Sequence, residues 1–183
     1  MRTVISVLAA ATASLAMAHP AAAGKAATQA QIVRDLHDHQ LILDLMARYG
    51  LALDAGDGAA YADLFTPDGV VIAGGGEEYR GREALMKLGA SVGQPPGAPP
   101  PTGPRPPIHH LFSNVAMDIR GDAASVAAYW VVVNGKTGVP VMQSMGRYED
   151  TLIKQGGRWR FTRRQIVNET LLVSKRLAAQ PAK

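Results

Sequence analysis

The residues of this sequence that could perform chemistry are a few ionisable and polar side chains that lie far apart along the chain. Tyr49 and Asp54 are five residues apart at the end of a long segment with apolar periodicity, and His109 and His110 are adjacent much later. Histidine is an effective general base near neutral pH, and a neighbouring carboxylate would fix its tautomer and stabilise the imidazolium. Brought together by the fold, these residue types would suit proton transfer; taken alone, a strand histidine is more often a structural residue.

Asp54 is an unusual residue for its position. A carboxylate in the last turn of a helix opposes the helix dipole, so a cation or a hydrogen bond must compensate. Alternatively, Asp54 accepts hydrogen bonds from the backbone of the following turn, at Gly56 or Asp57. Tyr49 also has an ordinary alternative, because a core tyrosine packs its ring and needs one partner for its hydroxyl. Both alternatives are open at this point.

Only one of the two adjacent histidines can enter a pocket, since neighbouring side chains on a strand point to opposite faces. Simple alternation favours His109 as the buried one, because it groups this residue with Leu111, Val115, Met117 and Ile119. A β-bulge near the start of the strand would reverse the grouping and favour His110. The residues alone leave the choice open.

A metal site is not expected. The chain has no cysteine, which excludes thiolate ligands, disulfides and a thiol nucleophile. His37 and His39 are two residues apart on a predicted helix and do not share a face, whereas zinc-binding helices space their histidines by four. The glycine run at 74–76 lacks the lysine and the long helix of a phosphate-binding loop.

The N-terminus has the composition of a secretory signal peptide. Arg2 precedes an uncharged run that ends at Ala18, and small residues continue to Ala23. A membrane anchor is the alternative, although a span needs about 20 apolar residues and this run is shorter. We predict a signal peptide over residues 1–23, with Ala18 as the competing cleavage site. The mature protein is then periplasmic or secreted.

The mature part, residues 24–183, has the length of one domain. The net charge of the whole chain is +4, which is too small and too evenly spread to predict nucleic-acid binding. The cationic residues do become denser near the end, at Arg158, Arg160, Arg163 and Arg164. No second hydrophobic stretch follows the signal peptide, so we expect no membrane contact after cleavage.

Helices are predicted first and strands afterwards. Apolar residues at threes and fours predict a helix from Thr28 to Asp54, with a short helix after Asp57. A turn at 66–69, a hairpin formed by 70–73 and 78–80, and a helix over 82–92 follow. Residues 94–107 form a proline-rich loop. Four strands then cover 108–119, 125–134, 139–154 and 158–168, and residues 171–183 are a tail. This order predicts an α+β fold with helices packed on one face of a curved, mostly antiparallel sheet.

Short segments throughout the mature chain resemble the SnoaL-like branch of the nuclear transport factor 2 superfamily. These segments are, in order, Tyr49-Gly-Leu-Ala-Leu-Asp54-Ala-Gly-Asp57, Leu64-Phe65-Thr-Pro-Asp-Gly69, Tyr79-Arg-Gly81, His110-Leu-Phe-Ser-Asn114, Gly121-Asp-Ala123 and Gly157-Arg-Trp159-Arg-Phe161. The resemblance implies a cone-shaped sheet around an apolar pocket, assembled as a homodimer or homotrimer. It also implies chemistry without metal or organic cofactor, as in the scytalone dehydratase, bile acid dehydratase and dehydrochlorinase relatives.

The resemblance assigns roles to individual residues. Asp54 and His110 match the paired Asp and His of these relatives, which selects His110 over His109 and requires the bulge. Tyr49 matches a polar pocket residue, and Arg164 a pocket arginine. We assign substrate contacts to Asn114 and Trp130. The expected function is a cofactor-independent lyase, a dehydratase or related enzyme, acting on a small apolar ring compound. The alternatives are a periplasmic binding protein, an isomerase or cyclase, and, less compatible with export, the small subunit of a ring-hydroxylating oxygenase.

Overall fold

The computed structural model describes residues 27–92, 107–135 and 138–178. The first element is helix α1, Gln29–Ala55. Thr28 caps its start through a reciprocal pair of hydrogen bonds with Gln31, and Gly56 ends it in the left-handed conformation, at φ 64°, which glycine adopts without steric cost. The short helix α2, Gly58–Ala62, is capped by the Asp57 side chain. Both helices agree with the sequence prediction.

Strand β1, Phe65–Ile72, differs from the prediction. The segment 66–69 was expected to be a turn, but it lies within the strand, where the pairing with the last strand shifts register between Phe65 and Val70. Proline and glycine here interrupt the ladder without reversing the chain. Strand β2, Glu78–Arg80, pairs antiparallel with β1, as predicted, and helix α3, Gly81–Ser91, follows.

The four long strands are β3, Ile108–Arg120, β4, Ala123–Asn134, β5, Val141–Gln155, and β6, Arg158–Asn168. Together with β1 and β2 they form one six-stranded sheet in the order β2-β1-β6-β5-β4-β3. Only the β1–β6 pair is parallel among the described strands. Residues 169–178 form helix α4, Glu169–Ala178, so the first part of the predicted tail is helical. The predicted signal peptide, and all of the proline-rich loop except Pro107, lie outside the described residues.

The core fills the space between the concave side of the sheet and the helices. The C-terminal half of α1 contributes Ile42, Leu45, Met46, Tyr49 and Leu53, and alternate residues of β4 to β6 face them. Ile32 and Leu36 of the same periodic pattern are exposed, because the helix extends beyond the part of it that packs on the sheet. The predicted α+β fold with its curved, mostly antiparallel sheet is confirmed. Among the described helices, none is long and apolar enough to cross a membrane.

Asp38 links helix α1 to strands β5 and β6 through two hydrogen bonds. Its Oδ1 accepts a hydrogen bond from Lys154 Nζ of β5 at 2.7 Å and another from Trp159 Nε1 of β6 at 3.0 Å. Burial raises the pKa of the Asp38 carboxyl, but the hydrogen bonds and charge of Lys154, helped by Trp159, outweigh it and leave the pKa below its usual value. The carboxylate is therefore held in its charged form.

We predict that Asp38→Asn lowers the free energy of unfolding by about 1.5–3 kcal/mol at neutral pH, the usual range for a buried hydrogen bond to a charged group. A carboxyl whose pKa is lowered by folding stabilises the protein above its unfolded-state pKa, about 3.9, and loses that contribution as the pH falls through the folded value. The difference between wild type and variant should therefore shrink below about pH 4. Urea unfolding at several pH values measures it, and Asp35→Asn, an exposed carboxylate on the same helix, is the control.

Candidate functional site

Asp54 lies in the last turn of α1 and points at the start of the edge strand β3. Its Oδ1 accepts a hydrogen bond from the backbone N–H of His110 at 3.0 Å. The N–H groups of the following turn, at Gly56 and Asp57, are bonded instead to the carbonyls of Leu53 and Ala52. Asp54 is therefore not a cap for its own turn. Its charge is compensated by strand β3.

Both histidines contact this carboxylate, but they do so differently. His110 Nδ1 lies 2.6 Å from Asp54 Oδ1, and the His110 side chain is 10% exposed. His109 Nδ1 lies 3.3 Å from Asp54 Oδ2, and its side chain is 65% exposed. His109 was expected to point away from Asp54, so this contact is a correction. The carboxylate sits at the strand edge, where rings from both faces of β3 can reach it.

A bulge explains why His110 and not His109 faces inward. The pairing of β3 with β4 shifts between Ser113 and Ala116, and Asn114 within it has φ 52°. This inserts one residue, so His110 shares the inner face with Phe112, while Val115 and Met117 take that face beyond the bulge. Asparagine tolerates the left-handed conformation better than most residues. Asn114 is exposed and does not line the cavity, so its expected substrate contact is replaced by a backbone role.

A cavity of about 220 Å³ opens beside His110. Half of the described lining residues are aliphatic, and the larger ones come from α1, the end of α3 and strands β3, β4 and β6, namely Leu53, Leu88, Val92, Ile108, Val132 and Ile166. The polar side chains among the described lining residues are His110, Trp130, Gln143, Ser144 and three tyrosines. The described part of the wall therefore carries polar groups but no Asp, Glu, Lys or Arg. The predicted apolar pocket is present, and Trp130 lies in it as expected.

Three tyrosines meet at one end of this cavity. Tyr49, from α1, lies 5.2 Å from the Tyr61 ring of α2 and 5.6 Å from the Tyr148 ring of β5, between centroids. Burial, together with the neighbouring Tyr49, raises the pKa of Tyr61 and Tyr148 well above the usual value, so both hydroxyls stay protonated and can donate. Sequence reasoning identified Tyr49 alone. The signal for the other two was weak, since each simply occupies an inward position of its own element.

Arg164 does not line the cavity, contrary to the expectation. It is completely buried behind the tyrosines, where its Nε and Nη2 donate to Asp150 at 2.8 and 2.5 Å. Its guanidinium carbon lies 3.8 Å from the centroid of the Tyr49 ring and 4.1 Å from that of Tyr148. Burial lowers the pKa of Arg164, but the Asp150 carboxylate outweighs it and raises the pKa, so the arginine is charged. The cation supports the aromatic wall from behind.

The described residues contain no group of three or more His, Asp or Glu side chains arranged to hold a metal ion. Asp54, His109 and His110 are not such a group, although the Asp54 carboxylate contacts both rings.

The chain belongs to the family of SnoaL-like domains, whose sequence model matches residues 34–165. Several solved structures are similar to this chain in sequence and in fold. A protein of unknown function from Mycobacterium tuberculosis is 28% identical over 75% of each chain, with a TM-score of 0.63. A candidate scytalone dehydratase from Novosphingobium aromaticivorans is 25% identical over 75% of this chain and 87% of its own, with a TM-score of 0.61. A Catenulispora acidiphila protein in complex with S-DNPA is 25% identical over 76% of this chain and 98% of its own, with a TM-score of 0.64. Among curated proteins, none matches this chain significantly.

The bulge at Asn114 can be tested directly. Asn114→Gly should keep the protein folded with near-wild-type stability, because glycine adopts a positive φ freely. Asn114→Val should lower the free energy of unfolding by about 1–2 kcal/mol, since a β-branched residue resists that conformation. Urea unfolding followed by circular dichroism measures both. Equal stability of the Gly and Val variants would contradict the backbone role.

Proposed function

We propose that this protein is a cofactor-independent lyase that eliminates water or another leaving group from a small, uncharged ring compound. The observation that carries the proposal is the 2.6 Å contact between Asp54 Oδ1 and His110 Nδ1 at the wall of an apolar cavity. A carboxylate-bound imidazole is a general base, and an apolar cavity is an unusual place for one unless a substrate needs it. The similarity to a candidate scytalone dehydratase supports the same reaction class.

His110 is the proposed base. Its Nδ1–H donates to Asp54, which leaves Nε2 unprotonated and able to accept a proton in the cavity. Nε2 would take a proton from a substrate carbon next to an activating group, and the electron pair of that C–H bond would form the new double bond as the leaving group departs. Asp54 would stabilise the imidazolium during this step. The same proton would then leave with water or the other leaving group.

The tyrosines are the proposed hydrogen-bond donors, and they keep their protons throughout the step. All three tyrosines line the cavity, and the Tyr49 hydroxyl is the one we assign to the leaving group or carbonyl. The Arg164 cation behind the rings lowers the pKa of Tyr61 and Tyr148, against the larger effect of burial. Arg164 would therefore act through the tyrosines as a positioning residue. The family resemblance had implied instead that Arg164 directly contacts the developing negative charge of the substrate.

A non-catalytic binding protein and an isomerase or cyclase are the competing functions. The same cavity could hold a ligand without turnover, and the same base could return its proton to another carbon. Incubation of the purified protein with a panel of ring-containing alcohols and halides, followed by mass detection of dehydrated or dehalogenated products, separates the three. Binding without any mass change would support the binding protein, and a product of unchanged mass would support the isomerase.

We further propose that the mature protein works outside the cytoplasm as a homo-oligomer. The convex face of β3, β4 and β5 exposes the large apolar residues Leu111, Tyr129 and Met145. Leu111 and Met145 lie on either side of Val131 on β4, and Tyr129 is two residues from Val131 on the same strand. Contiguous apolar residues of this kind on a sheet face are typical of a protein–protein interface. A second copy of the chain is the partner that the family resemblance implies.

Asp54→Asn should leave the fold intact and lower turnover by about 10⁴-fold, because the base loses the charge that orients it. His110→Ala should cost a similar factor, and the double variant little more, because residues that act as a unit are not additive. Turnover of the hit compound from the panel measures all three.

His109→Ala is the matched control, since this ring touches the same carboxylate but lies outside the cavity lining. We expect a change of less than about tenfold. Loss of turnover comparable to that of His110→Ala would make the exposed histidine the base and would overturn the assignment.

Leu111→Glu should convert the oligomer to monomers, because it places a charge on the convex face. Sedimentation velocity measures the change. Leu51→Glu, at an exposed leucine of α1, is the control and should leave the assembly unchanged. A wild-type protein that sediments as a monomer would contradict the proposed interface.

A further inference from the structure

We propose that a second cleft of this protein binds the terminal phosphate group of a small soluble compound. The cleft has a volume of about 480 Å³, and Arg82, Arg158 and Arg160 are among its lining residues. We call it the arginine cleft. It shares no described lining residue with the cavity beside His110, so the proposal does not depend on the lyase activity.

Two arginines of the cleft carry charges that the fold does not compensate. In the basic run near the end of the chain, Arg163 and Arg164 donate to other side chains of the sheet. Arg158 and Arg160 form no ion pair with any described residue. They lie two residues apart on β6 and line the same cleft, so their positive charges repel each other. Arg160 is also partly buried, which makes an anionic partner more valuable to it.

Further arginines reach the same place from other elements. Arg82, from α3, forms an ion pair with Asp63, which is the only carboxylate among the described residues lining the cleft. Both side chains of this pair are more than half exposed, so the pair is weak and can open to another anion. Arg48, from α1, lines a smaller depression together with Arg158 and Arg160. Cations from three elements therefore converge around a single acid.

The excess of guanidinium groups narrows the ligand class. A guanidinium donates two parallel hydrogen bonds to the oxygens of a phosphate or carboxylate. A terminal phosphate carries nearly two negative charges at neutral pH and has three acceptor oxygens, whereas a carboxylate or a phosphodiester carries one charge. Several arginines around one acid therefore suit a terminal phosphate best. The described lining offers no large, exposed apolar side chain that could enter a bilayer, so we infer a soluble compound and not a lipid headgroup.

Isothermal titration calorimetry of the purified protein with pyrophosphate, inorganic phosphate and acetate, at constant ionic strength, tests the site. We expect the affinity to fall in this order, because the negative charge falls in the same order. Arg158→Gln and Arg160→Gln should each weaken pyrophosphate binding by about fivefold to tenfold, since each removes a charged donor. Arg34→Gln, at an exposed arginine of α1, changes the net charge equally and should leave the affinity unchanged.

Asp63→Asn should have the opposite effect. It removes the carboxylate that competes for Arg82, so pyrophosphate binding should become about twofold to fivefold tighter. Without ligand, Arg160→Gln should not lower the melting temperature, because the change relieves the repulsion from Arg158. A lower melting temperature would assign Arg160 to the fold and count against the site. Absence of pyrophosphate binding, or equal affinity in the wild type and both arginine variants of β6, would overturn the proposal.

Vesicle sedimentation distinguishes a soluble phosphate from a lipid headgroup. The protein would be mixed with vesicles of phosphatidylcholine, with and without phosphatidylglycerol. We expect it to stay in the supernatant with both. Sedimentation with the anionic vesicles that is lost in Arg160→Gln would assign the arginine cleft to lipid headgroups, and the proposal of a soluble phosphate compound would then be wrong.

Discussion

The arrangement of this site depends on the compensation of one carboxylate, Asp54, at the unfavourable end of a helix dipole. The backbone N–H and the ring of His110 provide that compensation, so the end of α1 and the beginning of β3 are held together by the same group. Gly50, one turn earlier, permits the close approach, because a Cβ there would lie only 3.1 Å from the His110 carbonyl oxygen. The helix, the strand and the base are therefore positioned by one contact.

Behind the cavity a second buried charge has a different effect. Arg164 and Asp150 neutralise each other without solvent, and the guanidinium lies against the faces of Tyr49, Tyr148 and Phe161. Removing either partner would leave an isolated buried ion, which is far more costly than the pair itself. The tyrosine hydroxyls are thus presented by rings that cannot easily turn away.

Local rules predicted most of the fold from the sequence. Thr28, Gly56 and Asp57 mark helix ends through their own side chains or conformational freedom, and alternation placed the four long strands within about two residues. The strand through 66–69 was missed because its proline and glycine are turn residues, whereas the pairing with the parallel strand β6 continues on both sides of that segment. The family resemblance selected His110 where alternation favoured His109, since the bulge depends on the conformation of a single residue. Arg164 was misplaced because its partner, Asp150, and two of the three rings around it, Tyr49 and Tyr148, come from other elements.

Strand β3 is an edge of the sheet, and open edges are where folded chains most readily pair with one another and aggregate. Asp54 occupies the point where a new strand would have to bond to His110, and the last turns of α1 cover the backbone beside it. The carboxylate that we assign to orienting the general base therefore also blocks an edge at which another strand could pair. Substitutions in the cavity lining could change the substrate preference and leave this edge covered. Replacement of Asp54, in contrast, would affect both catalysis and solubility.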